Sequence, residues 1–226
     1  SMLSSEDGQI GNFQILGRLV KIKPTGNALV IGDLHGDFES LIHILDESNI
    51  LRRMQNASDQ IAVFLGDYGD RGPLSAEVYY TVLKLKLHFP RQTVLMRGNH
   101  EGPKDLMASP HDLPGQLQAR FGQTWIKAYK KLLALHQNLY NASVVQGKYL
   151  MIHGGLPEQA RTYEDLAFAH LKHPKQSLLE DMLWSDPDET VDRTSPSLRG
   201  AGKLFGKKIT DEVLDSLRLK VLIRGH

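Results

Sequence analysis

Aspartate, histidine and asparagine gather among glycines in four short segments of this chain: Gly32-Asp33-Leu34-His35-Gly36, Gly66-Asp67-Tyr68-Gly69-Asp70-Arg71-Gly72, Arg97-Gly98-Asn99-His100-Glu101 and His153-Gly154-Gly155. Apolar runs lead into them: Ala28-Leu29-Val30-Ile31, Ile61-Ala62-Val63-Phe64-Leu65, Val94-Leu95-Met96 and Tyr149-Leu150-Met151-Ile152. Such runs predict strands covered on both faces, which deliver the residues that follow them to one rim of a sheet. Two residues apart at a strand terminus, Asp33 and His35 point to one side, so an oxygen and an imidazole can meet a single metal ion. Asp67 can divide its carboxylate oxygens between two ions and lower their repulsion. Asn99, His153 and His226 then complete the second ion. A water shared by two dications is acidified enough to act as a nucleophile near neutral pH. The chemistry expected is therefore in-line attack on phosphorus without a covalent enzyme intermediate.

The elements that must position these groups follow from periodicity. After the first strand, Phe38, Leu41, Ile42, Leu45 and Ile50 recur at helical spacing over residues 37–51. After the second, Val78, Val82, Leu85 and Phe89 line one face of a helix over 74–89, behind Pro73 at its first turn. A third strand over 92–96 precedes a helical pattern within 122–136 and a hairpin around Gln146-Gly147. Residues 157–208 read as loop-rich, with Pro157, Pro174, Pro187 and Pro196 as breakers. A last helix is expected from a Thr210 cap to Leu217, then a strand over 219–223. The glycines flanking the ligand candidates are expected to supply positive φ or room for a phosphate.

Composition narrows the chemistry. The chain has 226 residues, enough for one large domain, with 41% hydrophobic and 23% charged residues and a net charge of +1. No overall field favours nucleic acid or an anionic membrane as partner. The absence of cysteine excludes thiolate metal sites and a cysteine nucleophile. Apolar stretches are strand-sized and the first residues polar, so a cytoplasmic location is expected. His43, His88, His136, His170 and His173 lie outside the motifs and read as surface or packed groups. Trp125 and Trp184 read as core, and Lys127, Lys130 and Lys131 as a solvated helix face.

Taken in order, Gly-Asp-Leu-His-Gly, Gly-Asp-Tyr-Gly-Asp-Arg-Gly, Arg-Gly-Asn-His-Glu and His-Gly-Gly-Leu resemble the metal-dependent phosphoprotein phosphatases, the serine/threonine protein phosphatases of the calcineurin-like metallophosphoesterase superfamily. Met182-Leu183-Trp184-Ser185-Asp186-Pro187 and Leu222-Ile223-Arg224-Gly225-His226 extend the resemblance over residues 28–226. It implies an α/β fold (α+β where mixed sheets are so named), with two mixed β-sheets in a sandwich flanked by helices. It implies an N-terminal extension over 1–27 and a catalytic domain over 28–226 that stops short of the family's last strands. Asp33, His35 and Asp67 would hold one metal, and Asp67, Asn99, His153 and His226 the other. His100 would be the general acid, with Asp70 orienting it, and Arg71, Arg199 and Asn99 would bind the substrate phosphate.

These roles are chemically sound. Serine alkoxide leaves poorly and needs a protonated imidazole, which a neighbouring carboxylate keeps charged and oriented. Guanidinium forks complement phosphoryl oxygens. Arg97 and Arg224 each precede a ligand by two residues and are expected to be structural ion-pair partners. The resemblance implies a phosphoserine or phosphothreonine protein as substrate, regulatory proteins as partners, and two divalent ions. Oxygen and nitrogen ligands do not select one ion, so manganese is expected in assay and iron or zinc in the cell. Two alternatives stay open, a hydrolase of dinucleoside polyphosphates or other small phosphate esters, and a phosphate-binding module with impaired turnover. Gly69, where the family usually has valine, is expected to loosen the loop of Asp70, and residues 102–114 depart from the family's segment.

Overall fold

The computed structural model describes residues 3–226. Ser1 and Met2, the start of the expected N-terminal extension, lie outside the described residues. Three short antiparallel strands come first, β1 (Gly8–Ile10), β2 (Phe13–Leu16) and β3 (Leu19–Ile22), followed by β4 (Asn27–Ile31). The expected single helix after β4 is two, α1 (Phe38–Glu47) and α2 (Ile50–Asn56). Asn49 between them has φ 50°, a left-handed turn that asparagine tolerates. Asp37 starts α1 by accepting the Ser40 N–H at 2.9 Å, a cap worth about 1 kcal/mol. Then come β5 (Gln60–Phe64), α3 (Ser75–His88) and β6 (Thr93–Leu95).

Within the divergent segment lies a helix the periodicity did not predict, α4 (Leu113–Phe121), ahead of α5 (Trp125–His136). Its signal is weak because only Leu113 and Leu117 are buried and Pro114 and Gly115 occupy its first turn. The hairpin is present as β7 (Ala142–Val145) and β8 (Tyr149–Ile152). The loop-rich stretch holds three short helices, α6 (Tyr163–Ala167), α7 (Ala169–Lys172) and α8 (Leu178–Trp184), and the strands β9 (Asp186–Pro187), β10 (Thr194–Pro196) and β11 (Lys203–Phe205). Helix α9 (Lys207–Leu217) begins after Gly206, one turn before the expected cap. Thr210 therefore lies inside it, its hydroxyl donating to the Gly206 carbonyl at 3.3 Å. Strand β12 (Val221–Arg224) follows α9.

The strands form three sheets where two mixed sheets were expected. The largest is mixed, in the order β1-β2-β3-β7-β8-β12; β4-β5-β6 is wholly parallel, and β10-β11-β9 is a small mixed sheet. Alternate residues of the large sheet face two separate cores, as a two-residue period requires. Val20, Val145 and Met151 pack toward β4-β5-β6 and helices α1–α3, whereas Leu19, Val144 and Leu150 pack toward α6–α9. The result is a sandwich with helices outside it. Residues 8–22, expected as an extension, are thus half of the large sheet. Glu6 is also anchored, 2.8 Å from the buried Lys86 ammonium. No helix among the described residues is long and apolar enough to cross a membrane.

Candidate active site

Parallel pairing brings strand ends together, and the ligand candidates sit on those ends. Asp33, Asp67 and Asn99 follow β4, β5 and β6, while His153 and His226 follow β8 and its parallel neighbour β12, where Arg224 is level with Ile152. Asp67 is the centre. Its Oδ2 lies 3.3 Å from His35 Nε2 and 3.4 Å from His153 Nε2, and its Oδ1 accepts the His100 N–H at 3.0 Å. Asn99 Oδ1 is 3.3 Å from His153 Nε2. Asp33 Oδ1 accepts the His226 N–H at 3.0 Å, and its Oδ2 is 3.9 Å from His35 Nε2.

The donor set fits metal ions. His35 Nδ1 is 3.0 Å from the Gly69 carbonyl and His153 Nδ1 is 3.1 Å from that of Leu65, so each ring donates there and presents the Nε2 lone pair to Asp67. Two electron-pair donors at 3.3 Å repel unless a cation lies between them. His35 Nε2 and His226 Nε2 are buried without a hydrogen-bond partner. Ligand atoms of Asp67, His153 and His226 fall within 4.8 Å of one another, as do those of His35, Asp67 and His100. His100, expected only as an acid, thus joins His35 and Asp67 in a group that does not include Asp33. Without metal, the Asp67 carboxylate favours a proton on His153. Burial lowers His153, but the charge and bond of Asp67 together with the Asp33 and Glu101 charges outweigh it, and the ring is raised above its ordinary value. Burial and the neighbouring His153 charge lower His226 to about 4.

His100 and Asp70 meet as expected, with Nδ1 to Oδ2 at 2.6 Å. Burial lowers His100, yet the Asp70 bond and the Asp67 charge raise it overall. Burial raises Asp70, but its bonds to His100 and His111 hold it well below the usual carboxylate range. His111 was not foreseen: its Nδ1 is 2.8 Å from the same Asp70 oxygen and its Nε2 2.9 Å from the Tyr129 hydroxyl. The Leu113 N–H donates to the other Asp70 oxygen at 2.7 Å, and the Arg71 N–H to Asp112 at 3.0 Å. The Asp70 loop is therefore clamped, not loosened. A Cβ on Gly69 would come within 3.1 Å of the Tyr79 ring, so the glycine lets α3 close on the loop.

Glu101, part of a motif but given no role by the sequence reading, is the buried hub. Its Oε2 accepts the N–H groups of Asp67 at 2.8 Å and Gly98 at 3.1 Å. Its Oε1 accepts the Tyr68 N–H at 3.0 Å and the Tyr79 hydroxyl at 2.9 Å. One carboxylate thereby ties the loops after β5 and β6. Of seven non-glycine residues with positive φ among the described residues, five are His35, Asp67, Asp70, Arg71 and His226. Strain on this scale persists where surrounding bonds over-determine the backbone, and here it falls on the site. Among Gly32, Gly36, Gly66, Gly98, Gly154 and Gly155, which flank the ligand candidates, only Gly36 and Gly66 have positive φ. Gly98 serves close approach instead, since a Cβ there would meet Asp67 Oδ1 at 2.1 Å.

The two phosphate-binding arginines are placed apart. Arg71 Nη2 lies 3.4 Å from His100 Nε2, facing the site. Arg199 is at the exposed rim, its Nε donating to Asp186 Oδ2 at 2.7 Å. Asp186 also pairs with Arg224 at 2.7 Å and approaches His226 Nε2 at 3.9 Å. Arg224 is structural as expected, its Nε donating to the Gly154 carbonyl at 2.6 Å. Arg97 forms no such pair; it is buried and donates to the Glu101 carbonyl at 2.7 Å. Trp184 packs in the core, its Nε1 bonded to the Leu106 carbonyl and its ring 6.1 Å from that of His226.

Comparison with known proteins agrees with this geometry. The serine/threonine-protein phosphatase SIT4 of Candida albicans is 32% identical over 199 residues, covering 87% of this chain and 61% of its own length. The serine/threonine-protein phosphatase 6 catalytic subunit of Caenorhabditis elegans is 31% identical, covering 87% of this chain and 57% of its own. This chain thus spans about three-fifths of the curated relatives it matches. A solved serine/threonine phosphatase from Saccharomyces cerevisiae, described as similar to human phosphatase PP5, superposes with a TM-score of 0.71 at 26% identity, over 87% of this chain and 59% of that one. Residues 26–226, which include every ligand loop, match the calcineurin-like phosphoesterase model, and the chain belongs to that family.

Proposed function

We propose that this protein hydrolyses phosphomonoesters of phosphoserine and phosphothreonine in proteins. The observation that carries the reading is a buried Asp67 carboxylate between two imidazoles, beside a carboxylate-held His100 and within reach of an arginine. The family implies divalent metal ions. Here Asp33, His35 and Asp67 would hold one and Asp67, Asn99, His153 and His226 the other, with manganese as the ion for assay and iron or zinc as cellular alternatives. When bound, the ions supply positive charge to the phosphoryl oxygens and acidify water for attack.

The remaining work falls to side chains. Asp70 accepts from His100 Nδ1, which leaves Nε2 to carry the proton that the departing serine oxygen needs. Arginine N–H and imidazolium N–H cannot bond to each other, so protonating His100 frees Arg71 to turn its fork onto the phosphoryl group. Arg199 would add a second fork by leaving Asp186. The wording of one relative's name, a catalytic subunit, supports regulatory proteins as partners. A cytoplasmic location belongs to the same proposal.

The test is hydrolysis of a phosphoserine peptide with manganese and then with excess chelator, beside diadenosine tetraphosphate as rival substrate. Turnover of the peptide that chelator abolishes is expected. Preference for the dinucleotide, or full activity in chelator, would refute the proposal. His100→Asn should slow the peptide by roughly a hundredfold and spare p-nitrophenyl phosphate, whose leaving group needs no acid.

A further inference from the structure

A cavity of about 490 Å³ opens among the β2–β3 turn, the loop after β6, the end of α5 and helix α7. Arg18, Arg97, Lys104, His136, His170 and His173 line it, and no aspartate or glutamate does among the described residues. None of its lining residues is a proposed metal ligand, His100, Asp70, Arg71 or Arg199. Three histidines that the sequence left as separate surface or packed groups are thus gathered beside two arginines and a lysine, with His173 Nε2 paired to Asp105 at 2.8 Å just outside the cavity.

The arginines here touch no carboxylate directly, although the Glu101 and Asp105 charges act on Arg97 from nearby. Arg18 Nη2 donates to Asn138 Oδ1 at 2.7 Å, and its buried Nε has no partner. Arg97, only 5% exposed, is bonded through Nε to a backbone carbonyl. Neither guanidinium forms an ion pair among the described residues. A guanidinium keeps its charge at neutral pH even when buried. His136 is 2% exposed and its Nδ1 has no partner. The Tyr79 hydroxyl donates to Glu101, so it must accept from His136 Nε2, 3.0 Å away. That assigns the proton to Nε2 and a bare lone pair to Nδ1. Burial and the Arg97 charge hold His136 down to about 3, so the ring is neutral.

Two unpaired guanidiniums beside a lone-pair acceptor want a ligand that is anionic and still carries one O–H. We propose that this cavity is a second, non-catalytic binding site for free orthophosphate, with anionic oxygens on Arg18 and Arg97 and its hydroxyl on His136 Nδ1. Sulfate has no proton to give at neutral pH, and a phosphoserine ester is largely dianionic there. The site goes beyond the proposed hydrolysis and requires nothing of it.

The test uses the whole chain kept metal-free by chelator and titrated with inorganic phosphate at neutral pH. Binding is followed by calorimetry and by the imidazole ring-proton signals of its ten histidines in NMR spectra. Saturable binding that shifts His136 and His170 is expected. It should weaken about tenfold or more in Arg18→Gln and in Lys104→Glu, and sulfate should bind similarly weakly. Lys104 is exposed, so its reversal tests the charge without straining the fold. Arg71→Gln should leave this binding intact. Phosphate affinity indifferent to both cavity substitutions, lost with Arg71→Gln, or reported only by His35 and His100 would overturn the site. A phosphoserine peptide that shifts His136 as orthophosphate does would overturn the choice of the free ion. No turnover is read, so the outcome is independent of whether the protein is a phosphatase.

Discussion

At the ends of β5 and β6 the site residues are held by backbone bonds, whereas around β9 and β12 they are held largely by one another's charges. Asp67 and Asn99 sit on loops pinned through three N–H groups to the buried Glu101. Asp186, Arg199 and Arg224 instead meet at a partly exposed rim where one carboxylate serves two arginines. Buried bonds of the first kind fix geometry before any ligand arrives. Solvent-exposed pairs of the second kind are worth about 0–1 kcal/mol and can exchange partners. The rigid side suits metal ligands and the proton donor; the exchangeable side suits an arginine that must let go of Asp186 to take a phosphoryl group.

The largest effect expected on this contrast is at the centre of the rigid side. Asp67→Asn should weaken manganese binding by more than about a hundredfold, because it removes the carboxylate lying between both imidazoles. Calorimetry measures this directly, and retention of two tight sites would place the metal elsewhere. Glu101→Gln comes next. It converts a carboxylate with four donors into an amide with one acceptor oxygen, and should cost about 2–4 kcal/mol in urea unfolding. A loss under about 1 kcal/mol would mean that the loops after β5 and β6 hold themselves without the hub.

Asp181, behind the exchangeable side, sharpens the comparison through pH. Burial raises its carboxyl from an ordinary 3.8 to about 6, with Lys203 opposing. The folded state therefore keeps this proton to higher pH than the unfolded chain does. Its contribution to stability falls as pH rises between those two values, and the penalty is complete above about 6. Asp181→Asn should flatten that slope and recover about 1–3 kcal/mol at pH 7, read from unfolding across the window. An unchanged slope would assign the pH dependence to other groups. The smallest effect belongs to the rim. Asp186→Asn frees Arg199 and should lower KM for a phosphopeptide two- to threefold at low ionic strength, an effect of roughly the size of one exposed ion pair that salt removes. An effect tenfold or larger would show that the rim is as tightly built as the buried side.

Much of this site was legible because its information is local. Asp33 and His35 share one loop, Asp70 and Arg71 another, Asn99 and Glu101 a third, and an apolar run before each loop announces a strand end. Alternation and helical spacing are properties of neighbouring residues, so β4, β5, α3 and the β7–β8 hairpin can be read without knowing what they touch. The same reasoning missed α4, where Pro114 and Gly115 mask a short helix, and joined α1 and α2 into one helix, since one asparagine in a left-handed turn leaves periodicity nearly intact.

What only the tertiary structure decided is which distant groups share a space. His111 reaches Asp70 across 41 positions, the His226 N–H reaches Asp33 across 193, and Arg18 reaches Asn138 across 120. The residues themselves carry no mark of these meetings. His136 and His111 look alike in sequence, yet burial and the nearby Arg97 make one a neutral acceptor while Asp70 makes the other a clamp. Residue type and spacing determine what a side chain can do; packing determines the dielectric, the charges and the partners around it, and so which of those things it does.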